Sequence, residues 1–410
     1  MPTLLCRLYR HPRFGRVLAP CLPALALFSA KAGPTTSNTA GAPPAPPPVN
    51  VVRTVGPWGT LEYYPVRLEP PTTQLWNALF DDVSVWNFGF LTETGVIAEL
   101  KGIGFSPELL TRLRTEGVWE RAKAGLKVTL PDAIIADLST DNRRALAEWF
   151  HKNNFDFYNK ITVNIEGGDF SAFTPDKVDP EILELVKSLS FVRNGALSFM
   201  DLPHVMRRIG DDEEEKETFV RTIFSTRSLI VRLVIDETTD RAALANYWAQ
   251  GGRTSRVESM IKGVQNTVGV DKLDIVHLLP PLPRRYLYAF SNLSDTGINN
   301  TPDCFWASVH FFKRNPSPRV LDLLSLDHYL TTDFTEVTDE LHFGDLVCLM
   351  RPKDDSFLHS YVHIADEIVF TKNGASYVHP FILTLKSDMM SRYLQEGDYN
   401  VRVFRRNPGN

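Results

Sequence analysis

Between Gly33 and Asn50 the chain is built from Pro, Ala, Gly, Thr and Ser and ends in Ala42-Pro43-Pro44-Ala45-Pro46-Pro47-Pro48. No apolar face can be assembled from these residues, so the segment reads as an extended linker. Whatever folds must therefore lie after it. The residues before it carry a different signal. Arg7, Arg10, Arg13 and Arg16 occur without an acid among them, Val17 to Ala30 is apolar, and Ala30-Lys31-Ala32 offers small residues. That order is the order of a secretory signal over residues 1–32, and it predicts export to the periplasm or the extracellular space. The apolar run is too short to span a bilayer, which takes about 20 residues. The mature chain is thus expected to carry no transmembrane helix.

The 410 residues leave room for two or three domains. A 43% apolar and 23% charged composition is that of an ordinary globular protein. A net charge of −5 gives no footing for nucleic acid, which is usually met by a basic patch. Cys6 and Cys21 fall in the export signal, leaving Cys304 and Cys348. Cys348 sits among Leu346, Val347, Leu349 and Met350, where a cysteine behaves as a small hydrophobe. One reactive and one buried thiol is the preferred reading over a disulfide.

Residues 51–270 are expected to form a mixed, mostly helical domain with no legible chemistry. Ser106-Pro107-Glu108 starts one helix. Others are expected over Pro131–Asn153, Pro180–Leu189, Glu213–Leu229 and Arg241–Lys262. The acidic run Asp211 to Glu215 reads as a helix start favoured by the helix dipole.

Chemistry appears in residues 271–405. Thr301-Pro302-Asp303 can cap a helix whose first turn holds Cys304, with Phe305, Val309 and Phe312 along one face. Free N–H groups and the positive dipole end make such a thiol a candidate nucleophile. Downstream, His359 to Asp366 alternates, so Val362 and Ile364 share one face and His359, Tyr361 and His363 the other. A strand over Glu367–Thr371 follows. A metal reading of His359, His363 and Asp366 lacks the spacing of a metalloprotease helix, and neither metal nor cofactor is expected. His310 reads as a packing or surface residue.

Over residues 285–395 the chain resembles the NlpC/P60 family of cysteine hydrolases. Asp303-Cys304 matches its Asp-Cys pair, Gly344-Asp345-Leu346 its Gly-Asp-Leu entry, and His359 its strand-heading histidine. The chain continues with Phe305-Trp306 where the family commonly has Ser-Gly. The resemblance implies an α+β chain ending in a papain-like domain, a helix packed on an antiparallel sheet. It also implies a peptide or peptidoglycan-type substrate. Cys304 would be the nucleophile and His359 the base. Thr371, Lys372 and Asn373 are the positions available for an orienting residue, and Asn373 is preferred because its amide oxygen can accept from the imidazole. Trp306, His363 and Lys372 are the expected substrate contacts, with Trp306 and His379 as cleft walls. Acyl transfer by the same residues and a non-catalytic envelope-binding role are the competing readings.

Overall fold

The computed structural model describes residues 50–71, 84–123, 125–153, 162–193, 195–250, 253–291, 301–317, 323–393 and 398–408. The expected export signal and nearly all of the linker lie outside them.

Strands β1 (Val52–Gly56) and β2 (Gly59–Leu68) form a hairpin. Next come β3 (Val85–Asn87), β4 (Val118–Ala122) and β5 (Gly125–Thr129), a small antiparallel sheet in the order β3-β5-β4. A second one, β6-β8-β7, is made by β6 (Val163–Asn164), β7 (Ser190–Arg193) and β8 (Ala196–Phe199). Then β9 (Thr226–Val234) pairs along β2, and β10 (Lys272–Asp274) completes the four-stranded sheet β1-β2-β9-β10. The remaining strands are β11 (Phe334–Val337), β12 (Leu346–Met350), β13 (Phe357–Ala365), β14 (Ile368–Lys372), β15 (Phe381–Leu385) and β16 (Asn400–Arg406). They make a six-stranded antiparallel sheet in the order β11-β16-β12-β13-β14-β15.

This corrects the expected fold class. Residues 51–270 are not mostly helical: they contribute the four-stranded sheet and both three-stranded ones. The reason is visible at residues 213–234. A single helix was expected over Glu213–Leu229, but it stops at Ile223, and Thr226–Val234, rich in β-branched residues, becomes β9. Val49–Asn410 forms one compact unit. Leu61 and Leu233 share a core with Trp306, Phe311, Val362 and Phe370. Ser228 Oγ donates to the Leu383 carbonyl at 3.0 Å, fastening β9 to β15.

Several local readings agree with the structure. Ser106 Oγ accepts from Leu109 N–H at 3.1 Å at the head of the Pro107–Glu116 helix. Asp212 caps the Glu213–Ile223 helix with its acids in the first turn. Among the described residues no helix is long and apolar enough to cross a membrane.

Gly344-Asp345-Leu346 has a structural explanation. Gly344 sits at φ +90°, and a Cβ there would collide with the Phe312 ring. Asp345 is buried, accepts from His342 N–H at 2.8 Å, and is forked by Arg405 at 2.7 and 2.9 Å. The tripeptide locks the entry to β12 under the aromatic cluster. Gly344→Ala should therefore lower unfolding stability by about 2–4 kcal/mol, through left-handed strain plus overpacking. Urea denaturation measures it, and an unchanged midpoint would contradict this account.

Candidate active site around Cys304

Cys304 opens the helix Cys304–Val309, which packs across β13 and β14. Asp303 is its N-cap, with Oδ1 accepting from Trp306 N–H at 2.8 Å. The helix is anchored to β13 by a 3.0 Å hydrogen bond between the Ser308 and Ser360 hydroxyls.

The sulfur meets the sheet where its ladder is interrupted. Backbone pairing of β13 with β14 runs from Ala365 back to Val362↔Phe370 and goes no further. Beyond it the Thr371 hydroxyl donates to the Ser360 carbonyl at 3.1 Å in place of a backbone group. The Ser360 and Phe305 N–H groups point at the Cys304 sulfur and favour its thiolate. Burial and the neighbouring Asp303 carboxylate work against them and prevail. The thiol is pushed up to about 12 and is only 4% exposed.

His359 precedes Ser360, and its ring lies on the other face of the sheet, stacked on Tyr393 at 4.0 Å. Its Nε2 is 3.1 Å from Thr371 Oγ1. Because that hydroxyl gives its proton to the Ser360 carbonyl, it can only accept from the ring, so Nε2 carries the hydrogen. Nδ1 is then the basic nitrogen, and it is buried with no hydrogen-bond partner. Burial, with help from Arg392, drives the His359 pKa down to about 3. Cys304 and His359 make no hydrogen bond with each other; the resting pair is a neutral thiol and a neutral imidazole.

The side chain that holds the His359 ring is thus Thr371, not the expected Asn373. Asn373 lies one step past the strand, its carboxamide oxygen buried without a partner. Sequence reasoning had Thr371 among its options but weighed acceptor strength, whereas the hydroxyl wins because it can bridge the broken ladder.

Lys372 alternates to the Cys304 side of the sheet and is fully buried. Its Nζ donates to the carbonyls of Gly374 and Ser376 at 2.8 and 2.7 Å. Burial lowers its pKa to about 7, although Cys304 and Asp303 hold it up. So enclosed, it is no surface contact for a substrate. Trp306 is likewise a core residue and not a cleft wall. Its ring packs on Tyr286, Phe381 and His310, and its indole N–H donates to the Ser317 carbonyl at 2.7 Å. His363 sits at the far end of β13, where burial takes its pKa to about 4 beside Asp345, Lys386, Glu367 and Asp366. His310 accepts a packing role, its Nδ1 2.9 Å from the Trp306 carbonyl and its pKa lowered by burial to about 4. His379 is buried with Nε2 2.7 Å from Arg392. Cys348 is a free, buried core thiol. Among the described residues no group of three His, Cys, Asp or Glu is placed to hold a metal ion.

No protein-family model, curated protein or solved structure matches the chain.

Asp303→Asn keeps a good N-cap while removing the charge that opposes the thiolate. Alkylation of Cys304 by iodoacetamide at fixed pH should accelerate, about tenfold for each unit by which the thiol pKa falls. An unchanged or slower rate would contradict the electrostatic account. A second expectation concerns acid. His310, His359 and His363 all have folded pKa values below the ordinary 6.5. Their neutral burial costs nothing above about pH 6.5, but the unfolded chain gains protons as pH falls from there toward 4. The melting temperature should drop steeply across that interval, with proton uptake on unfolding by calorimetry in two buffers. Flat stability there would refute it.

Proposed function

We propose that the chain is an exported cysteine hydrolase that cleaves an amide bond, with peptidoglycan peptides as its substrate class. The observation that carries this reading is the state of His359. It is a neutral imidazole pinned through Nε2 by Thr371, with an unpartnered basic Nδ1, next in sequence to the N–H that meets the Cys304 sulfur. A nucleophile, a base and a residue orienting the base are the parts that covalent catalysis needs. The Asp303-Cys304, Gly344-Asp345-Leu346 and His359 matches to NlpC/P60 hydrolases support the substrate class. The basic, apolar and small-residue order of residues 1–32 supports export.

In this reading His359 Nδ1 takes the thiol proton as sulfur attacks the carbonyl carbon. The oxygen gains charge and is held by the N–H groups of Phe305 and Ser360. The protonated imidazole then gives its proton to the leaving amine, and a thioester remains. Water, deprotonated by His359, adds to the thioester and releases the acid, restoring the thiol. An amine in place of water would make the same site an acyltransferase. Sulfur and imidazole lie on two sides of the sheet and share no hydrogen bond, so in this reading the two side chains must come within hydrogen-bond reach in the substrate complex.

The near-complete burial of Cys304 and its raised pKa favour a second reading, a non-catalytic envelope-binding protein. Incubation with purified peptidoglycan and mass spectrometry of the soluble fragments separates the two. Hydrolysis predicts new fragments from the wild type and a loss of at least about 10³-fold in rate for Cys304→Ala, with the fold retained by circular dichroism. Fragments that persist in Cys304→Ala, or none from the wild type, would remove the wall-hydrolase reading.

A further inference from the structure

A cleft of about 370 Å³ lies on the six-stranded sheet, on the face opposite the Cys304–Val309 helix. Strand register builds its floor. Val403, Val347 and Tyr361 form one row across β16, β12 and β13, and Val401 and Leu349 begin the next. That second row ends at His359, which Tyr393 covers. Met390 from the Lys386–Tyr393 helix and Leu341 from the segment after β11 add to the apolar lining. Such a volume falls within the ~300–1,000 Å³ of small-molecule sites. Val401 is left 53% exposed in this floor.

The polar groups narrow what could fill it. Each ionic group in the lining already faces an opposite charge: Arg402 on Glu336 at 2.7 and 2.8 Å, Asp339 on Arg405 at 2.7 Å, Lys386 on Glu367 at 3.2 Å. None is left over for a charged ligand. Tyr361 differs. It is only 4% exposed, and its hydroxyl has no hydrogen-bond partner among the described residues yet is not sealed off. Burial raises its pKa, so the group stays protonated and can donate.

We propose that this cleft binds a small uncharged molecule, an apolar chain or ring seated on the valine floor, with one carbonyl-type oxygen accepting from the Tyr361 hydroxyl. A charged head group would be taken out of water there without a free partner, which is costly. The site uses neither Cys304 nor the His359 ring, so its failure leaves the hydrolase reading untouched.

Calorimetric titration of the whole chain with octanamide, octanoate and octylammonium, which differ only in the head group, tests this. Octanamide should bind saturably at millimolar concentration or below, and the two ions at least about tenfold more weakly. Tyr361→Phe keeps the ring and should weaken octanamide about fivefold to tenfold. Val401→Trp should fill the floor and abolish saturable binding. Val401 is half exposed, so its variant keeps the test valid should Tyr361→Phe fail to fold. No saturable binding of octanamide, an ion that binds as tightly, or full affinity in folded Tyr361→Phe or Val401→Trp would each overturn the proposal.

Discussion

The interrupted pairing between β13 and β14 is the constraint on which the site depends. Had the ladder continued past Val362↔Phe370, the Ser360 N–H and carbonyl would have been spent on backbone. Left open, they are taken by two side-chain partners: the carbonyl by the Thr371 hydroxyl, and the N–H by the sulfur at the head of the Cys304–Val309 helix. Buried backbone groups must be paired somewhere, and here the pairing sets the Cys304 sulfur on one face of the sheet and the Thr371-held His359 ring on the other. The aromatic core of Trp306, Phe311, Phe370 and Phe381 presses the helix onto the sheet and fixes that geometry.

Electrostatics then set the resting state. Desolvation raises the thiol and lowers the imidazole, so both are neutral across the ordinary pH range. This neutral resting state is unlike the thiolate–imidazolium pair that an exposed site can hold. Among the groups described around the sulfur, Lys372 has a pKa near neutrality. Its charge favours the thiolate, so it links sulfur acidity to pH although it touches no solvent.

How much of this could be read in advance varies with what each residue depends on. The first-turn position of Cys304 and the alternation of β13 follow from local rules: capping by Asp303, and a period of two through Tyr361, Val362, His363 and Ile364. Both stand in the structure. The role of Thr371 was not legible, because it depends on where a backbone ladder stops, which is a matter of register between distant segments. Trp306 and Lys372 were taken for cleft residues since an aromatic ring and a cation look functional in isolation; three-dimensional packing put both in the interior. The strand at Trp58–Pro65 is legible from its aromatic and β-branched residues, whereas its partner β9 is not, because the two lie far apart in the chain and helical periodicity between them dominates a local reading.

The claim that organises the rest is the tautomer of His359, since it decides which ring nitrogen is left basic. Nitrogen-15 correlation spectroscopy of the histidine rings measures it directly at about pH 5, below the ordinary histidine pKa and above the value near 3 that burial imposes. The account predicts a neutral ring protonated at Nε2, with an Nδ1 shift typical of an unprotonated nitrogen, and loss of that preference in Thr371→Val. A doubly protonated ring at that pH, or a proton resident on Nδ1, would contradict it.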